Sequence, residues 1–470
     1  MSSEPSLAGV GPFGGTSLAE VGARLRNREI SAEELTEQAL ASAHLHNPSL
    51  NCFVTIDDEG ALRAARQADR ELEAGLDRGP LHGMPVGVKD MIATSGLRTT
   101  MGSRHFSDHV PVIDADVVTS LRQSGAVVLG KTQTHEFAYG PTSDRAATGP
   151  ARNPHDTQRM TGGSSGGSGA AVAAGIVPVA LGTDTGGSAR VPAALCGTVG
   201  MRPTQGALPS RGAFPLSPTM DVVGPLAGSV ADLAASWWAL SAGSDLAGAR
   251  LPRWKEWAAR PPVEVAAVRI ASVDSALTQR AGQRSRAAAG LALNALGQSG
   301  AASRVVGLPE IDQSARLYGL IQSGEAYAIH AQRVSEHPEL FEPEVLERLT
   351  AASEVSGWEY VRALEERLKL RASVLERLTT TDILVMPTVP IEAPLVDQRE
   401  LSGEGEWSGV REALLSMTLP WSLLGFPALS VPVPSTDSHL PDSVQLIAKP
   451  GQERLLMDVA AALESQLRAG

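Results

Sequence analysis

The residues from Thr161 to Arg190 read TGGSSGGSGAAVAAGIVPVALGTDTGGSAR and carry two glycine-flanked serine clusters. A flexible Gly/Ser tether is the bland reading, but a tether has no reason to contain the apolar run Ala170–Leu181. The stretch therefore reads as buried structure. A small-residue helix is expected over Ser168–Ala174, followed by a strand over Val177–Leu181. Glycine beside serine permits backbone conformations that other residues resist and lets a substrate approach the main chain. Consecutive N–H groups in such a turn can converge on a developing oxyanion. Thr185, Gly186 and Gly187 could form such a hole, with Ser188 as nucleophile. A serine hydroxyl is weakly nucleophilic and needs a base.

Ten histidines are present, but none sits in a motif that marks a Ser-His-Asp arrangement, although order in sequence cannot exclude one. Lysine can replace histidine where burial disfavours its ammonium form and lowers its pKa. Lys89 ends the apolar run Met84-Pro85-Val86-Gly87-Val88 and precedes Asp90, which places an amine at a strand end beside apolar walls. On these residues alone, a solvated strand-end lysine remains equally open.

These groups need rigid elements to hold them. Ser17-Leu18-Ala19-Glu20 and Ser31-Ala32-Glu33-Glu34 fit the capping box that opens a helix. Strands are expected at Met84–Val88, Ala126–Leu129, Val177–Leu181, Val265–Val273, Ile383–Met386, Leu429–Val433 and Val444–Ile447. Several are apolar without alternation, as strands covered on both faces would be. Trp358, Val361, Leu364, Leu368, Leu375 and Leu378 suggest the apolar stripe of a helix between strands. Strands alternating with helices imply an α/β protein with a parallel or mixed sheet. Ala242–Pro262 and Pro390–Gly409 read as surface loops.

Composition narrows the partners. The 470 residues are 43% hydrophobic and 20% charged. They contain no apolar run of the roughly 18 residues that a membrane span requires. The net charge of −12 opposes nucleic-acid phosphates and anionic membranes. Two cysteines, Cys52 and Cys196, exclude a disulfide framework or a four-thiolate metal site and are expected as buried thiols. The first residues lack the basic start and apolar core of a secretory signal, so a cytoplasmic location is expected.

Three rival motifs fare worse. Gly125–Thr132 matches the P-loop pattern, but its middle residues form an apolar run and Gln133–Pro141 makes a poor helix. Gly162–Gly166 matches the nucleophile elbow, yet the residues before it, Pro154–Thr161, are polar rather than a hydrophobic strand. His105 and His109, four apart, lack a third ligand and read as a surface pair.

Gly87-Val88-Lys89-Asp90, Gly162–Ser168 and Gly182–Arg190, taken in order, resemble the amidase signature family. The separations agree as well, 75 positions from Lys89 to Ser164 and 24 from Ser164 to Ser188. The likeness extends through Lys131–Phe137, Gly149–Pro154, Arg202-Pro203-Thr204, Gly425–Ala428 and Gln445-Leu446, and is weakest from Ala242 to Thr380.

The resemblance implies an α/β amidase signature fold, a large mixed sheet covered on both faces by helices. It implies one domain over residues 1–470, with a catalytic core at about 60–230 and a variable pocket region at about 240–400. It also implies the roles. Ser188 attacks the carbonyl carbon and becomes acylated. Ser164, following a cis peptide after Gly163, relays the proton between Ser188 and neutral Lys89. The N–H groups of Thr185, Gly186 and Gly187 hold the oxyanion, while Asp184 and Arg190 brace the loop. Tyr139, Tyr318 and Gln322 border the acyl site.

No metal or organic cofactor is implied. The implied partner is a small carboxamide, whether aryl, aliphatic or urea/biuret-like, with no nucleic acid and no membrane, and family habit allows a homodimer. Two positions depart from the family's pattern: Thr161 stands where many relatives have proline, and Ser422 where asparagine is frequent. Two other roles compete, the amidase subunit of a tRNA-dependent amidotransferase and a non-catalytic binding protein. Against the first, the Gly-Val-Arg-Tyr-Gly-like segment of such subunits is absent, and Tyr360–Leu378 is closer to stand-alone bacterial amidases, including those acting on carboxylated ureas and biurets.

Overall fold

Burial on both faces, anticipated from the unalternated apolar runs, is realised in an eleven-stranded mixed sheet. The computed structural model describes residues 6–241, 254–401, 407–435 and 438–469. Across the sheet the strands lie in the order Phe53–Ile56, Val127–Thr132, Pro85–Lys89, Val179–Asp184, Val222–Ala227, Val199–Arg202, Ala428–Val433, Asp442–Ala448, Ile383–Pro387, Ile270–Asp274 and Ser303–Gly307. Successive side chains along a strand point to opposite faces. Ile383 and Val385 accordingly join one hydrophobic cluster, while Leu384 and Met386 join another. Helices cover both.

Pro85–Lys89 pairs in parallel with Val127–Thr132 on one side and Val179–Asp184 on the other, with Val88 opposite Leu181. The carboxyl ends of these strands thus bring Lys89 beside Thr183. Open sheets bind ligands outside the carboxyl ends of their strands, so this edge is where a site is expected. The sequence makes the packing possible. A side chain at Gly87 would place its Cβ 2.8 Å from Thr132 Cγ2 and 3.3 Å from Ala180 Cβ.

The small-residue helix runs from Gly166 to Ala173, two residues earlier than the sequence suggests. Its glycines allow backbone to approach backbone. Gly167 N–H donates to Gln133 O at 3.1 Å, and Gln133 N–H donates to Cys52 O at 2.9 Å. Both capping boxes form, at Ser17/Glu20 and Ser31/Glu34. Cys52 and Cys196 are buried free thiols.

Three expectations require correction. The strand expected over Val265–Val273 begins only at Ile270, because Val265–Ala267 forms a short 3-10 turn. The helix Gly357–Arg377 exists, but its buried positions are Ala363, Leu370 and Val374, whereas Trp358, Val361 and Leu368 are exposed. Leu364, Leu375 and Leu378 of the expected stripe do pack against the core, and Ala363, Leu370 and Val374 complete the contact face. Of the loop expected over Ala242–Pro262, residues 242–253 lie outside the described residues, and Trp254–Ala258 is helical. Residues 402–406 of the second loop also lie outside them. No helix among the described residues is long and apolar enough to cross a membrane.

The packing at Gly167 yields a stability test. An alanine Cβ there would lie 2.3 Å from Gln133 N and 2.5 Å from Cys52 O, both backbone atoms that cannot rotate aside. Gly167→Ala should lower unfolding stability by about 2–3 kcal/mol or more through overpacking, measured by denaturant titration. An unchanged midpoint would refute the close-packing argument.

Candidate active site

Lys89 lies wholly within the protein, at the end of its strand. Its Nζ stands 2.7 Å from Ser164 Oγ, 3.0 Å from Ser165 Oγ and 2.7 Å from Thr183 Oγ1. Burial brings the lysine pKa down to about 7, against the opposing pull of Asp184 and Asp221. The solvated strand-end lysine is therefore not what this chain contains.

Ser164 follows a cis Gly163–Ser164 peptide bond and directly precedes the glycine-rich helix. Its carbonyl accepts from His135 N–H at 3.1 Å and from Ser143 Oγ–H at 3.1 Å. Ser143 also accepts from Gly166 N–H at 3.0 Å. The serine is consequently fixed from both sides of its loop. Ser165 N–H donates to Ser188 O at 3.2 Å, which draws the two serine clusters together.

Ser188 precedes the helix Arg190–Cys196 and is buried, with 5% of its surface exposed. Thr418 Oγ1 donates to Gly186 O at 2.7 Å and fixes the turn before it. Thr185 Oγ1 donates to Asp221 Oδ1 at 2.6 Å. Among the described residues, the N–H groups of Thr185, Gly186 and Gly187 donate to no protein acceptor. Buried N–H groups are seldom left so. Gly187 has φ 144° and an added Cβ would meet Thr418 Oγ1 at 2.2 Å, so glycine is required on both counts.

A buried charge network lies beneath this turn. Arg190 donates through Nε to Asp184 Oδ2 and through Nη2 to Asp184 Oδ1, each at 3.0 Å. Its remaining hydrogens go to Thr418 O, Gln445 Oε1 and Ser422 Oγ. Burial alone would raise the Asp184 pKa, but Arg190 and Arg202 overrule it and hold the carboxyl well below its usual range. Ser422, one of the family departures, thus belongs to the bracing network. Thr161, the other, donates its hydroxyl to Gly162 O at 2.8 Å.

Two of the three expected pocket residues, Tyr318 and Gln322, lie at this turn. Tyr318 OH lies against the turn, since a Cβ on Gly186 would fall 2.4 Å from it. Gln322 Nε2 donates to Tyr318 OH at 2.6 Å. Tyr139 is buried under the guanidinium of Arg348, 3.8 Å from its ring centre. Sequence reasoning missed Ser165, Thr183, Ser143, Thr418 and Arg348. Ser165 and Thr183 stand inside the recognised motifs and could have been named, whereas the other three come from distant segments and carry no local signal.

The rival motifs resolve structurally. Lys131 of the P-loop-like stretch is a buried strand residue whose Nζ donates to Ile92 O and Thr94 Oγ1. Only the three-residue 3-10 turn Glu136–Ala138 follows it, in place of the helix a P-loop requires. His109 is exposed as expected of a surface residue, but His105 packs edge-on against Phe341, with ring centres 4.3 Å apart. Among the described residues, no group of three or more His, Cys, Asp or Glu side chains is arranged to hold a metal ion.

Comparison with known proteins agrees with this geometry. A family model described as Amidase matches residues 34–457. AtzE, the 1-carboxybiuret hydrolase subunit of Pseudomonas sp. (strain ADP), is 36% identical over 438 residues, covering 92% of this chain and 95% of that protein. A glutamyl-tRNA(Gln) amidotransferase subunit of Carboxydothermus hydrogenoformans (strain ATCC BAA-161 / DSM 6008 / Z-2901) is 34% identical, covering 95% and 96%. A crystal structure of an amidase superposes with a TM-score of 0.87 at 34% identity, covering 96% of this chain and 100% of that one.

The network beneath Ser188 predicts a stability effect independent of turnover. Arg190→Met should leave Asp184 buried with one cation fewer and cost about 3–5 kcal/mol, read from denaturant unfolding. A loss below about 1 kcal/mol, the value of an exposed pair, would show that the network does not brace the turn.

Proposed function

This chain belongs to the amidase family, hydrolases acting on carbon–nitrogen bonds, and on that premise we propose that it cleaves a small carboxamide through an acyl-enzyme on Ser188, with Ser164 and Lys89 as proton relay. The observation that carries the reading is how the hydrogens around Lys89 must be distributed. Ser165 Oγ–H is committed to Thr183 O at 3.2 Å, so Ser165 can only accept from Lys89. A neutral amine has two N–H donors and one lone pair. With the donors directed to Ser165 and Thr183, the lone pair falls to the hydroxyl of Ser164. Ser164 Oγ is then free to accept a proton in turn.

The reaction follows from that arrangement. Ser188 Oγ attacks the amide carbon as its proton passes to Ser164, whose own proton passes to Lys89. The carbonyl oxygen, now negative, meets the open N–H groups of Thr185, Gly186 and Gly187. The relay runs backward to protonate the amide nitrogen, the C–N bond breaks and the amine departs. Water then attacks the ester carbon by the same relay and releases the carboxylic acid, restoring Ser188. Each oxyanion donor of this kind contributes on the order of 3–4 kcal/mol to transition-state stabilisation.

A second reading is favoured by the likeness to the amidotransferase protein. The same chemistry would then release ammonia for a partner protein. Ammonia release by the purified chain alone supports the stand-alone reading, while activity appearing only with a partner supports the other.

Ser188→Ala and Lys89→Met should each lower amide turnover by at least about 1,000-fold, comparable to losing a nucleophile or its base, with circular dichroism unchanged. Because Lys89 is protonated below about pH 7 and neutral above it, kcat/KM should rise through that pH and then level off. Turnover that persists in Ser188→Ala, or a profile without an ascending limb near neutrality, would overturn the mechanism.

A further inference from the structure

The helix Ser314–Glu336 buries Tyr318, Gln322 and Glu325, whose four- and three-residue steps put them on one face. Tyr318 meets the Gly186 turn, and Gln322 holds Tyr318. Glu325 takes part in neither contact. Its carboxylate reaches two other segments instead. Oε2 accepts Ser217 Oγ–H at 2.5 Å and Thr219 N–H at 3.3 Å, and Oε1 accepts Tyr360 O–H at 2.9 Å. Gly324 makes room for the last of these, since a Cβ there would fall 3.2 Å from Tyr360 Cδ2.

The turn at residues 217–221 is fixed along its length. Met220 N–H and Asp221 N–H donate to Ser217 O, each at 2.8 Å. Arg367 Nη2 donates to Thr219 O and Arg202 Nη1 to Met220 O, both at 3.0 Å. Asp221 Oδ2 accepts the N–H groups of Leu216 and Ser217, while its Oδ1 accepts the Thr185 hydroxyl.

These contacts close into a ring. It leaves Thr185 through Asp221, Ser217 and Glu325, enters the helix, and returns through Gln322 and Tyr318 to Gly186. Thr185 and Gly186 are adjacent, and they carry two of the three open N–H groups beside Ser188. A ring that begins and ends on one turn fixes the orientation of that turn.

We infer that Glu325 is a positioning residue for the oxyanion turn. It clamps the helix carrying Tyr318 and Gln322 to the loop that holds Thr185, and so keeps the N–H groups of Thr185 and Gly186 aimed at the developing negative charge. The proposal rests on the amidase reading above and identifies what holds that site in shape. Glu325 acts at a distance, with its hydrogen bonds going to Ser217, Thr219 and Tyr360. Misplacing a reacting group by about 1 Å from such a distance costs on the order of 100-fold in rate.

Phenylmethanesulfonyl fluoride serves as the probe, because its use requires no knowledge of the amide. Ser188 Oγ attacks the sulfur, an S–O bond forms as fluoride leaves, and the hydroxyl proton passes through Ser164 to Lys89. A sulfonyl oxygen then occupies the place of the oxyanion. The rate of adduct formation is read by intact-protein mass spectrometry and corrected for the folded fraction by circular dichroism.

Glu325→Ala should slow the reaction roughly 10- to 100-fold. Glu325→Gln should restore it to within about threefold of wild type, because its amide oxygen still accepts from Ser217 and Thr219 and the Tyr360 hydroxyl can accept from its N–H. Ser217→Ala is the milder cut in the same ring and should also slow labelling. Combined with Glu325→Ala it should add little, since both changes break one connection.

A rate per folded molecule equal to wild type in both Glu325→Ala and Ser217→Ala, even with lowered stability, would make Glu325 structural only and overturn the proposal. Effects that multiply independently in the double variant would do the same. Absence of the adduct in wild type, or its persistence in Ser188→Ala, has a different meaning: the amidase reading fails, and the proposal falls with it.

Discussion

An amine buried inside the protein, its pKa brought down to about 7, is the constraint on which the rest of the structure depends. Desolvation is what fits Lys89 for the base role proposed above, because it penalises the ammonium form while leaving the neutral amine nearly untouched. The fold must therefore bury Lys89 completely yet keep every negative charge at a distance. It does so by surrounding Nζ with three hydroxyls rather than a carboxylate. A carboxylate in direct contact would hold the proton on lysine and remove the base.

The negative charge nearby is managed separately. Asp184 follows Thr183 in the same strand and pulls the Lys89 pKa upward. Arg190 and Arg202 neutralise most of that pull by engaging both of its oxygens. The pair is costly to bury, but breaking it would cost more than building it gained, which is the usual situation for an internal ion pair. Its benefit is positional. The same guanidinium that answers Asp184 also bonds Thr418 O, and the Thr418 hydroxyl fixes Gly186 O. One network thus acts on the Lys89 amine and orients the turn that carries Ser188, the proposed nucleophile.

Legibility in the sequence follows the locality of each feature. The serine clusters, the base and the oxyanion turn lie within short motifs, because close backbone approach forces glycine at fixed positions such as Gly167 and Gly187. Strands buried on both faces announce themselves as unbroken apolar runs, and the expected strands appear, apart from the late start at Ile270. Strands with polar or mixed character escaped, among them Phe53–Ile56 and the exposed edge Ser303–Gly307. The helix Gly357–Arg377 shows why pattern reading misleads. Three of its largest apolar residues face solvent, because Ala363 and Leu370 are what fit against its neighbours. Contacts such as Ser143 to Ser164 and Thr418 to Gly186 join distant segments and leave no local trace.

This locality separates chemistry from recognition. The groups around Lys89 hang on two strand ends and one glycine-rich helix, elements whose close packing tolerates few substitutions. Tyr318 and Gln322 come instead from a helix beyond residue 310, where only tertiary placement brings them to the turn. The helix that supplies Tyr318 and Gln322 is for that reason free to shape the wall of the site, while the hydroxyl cage around Lys89 depends on other elements.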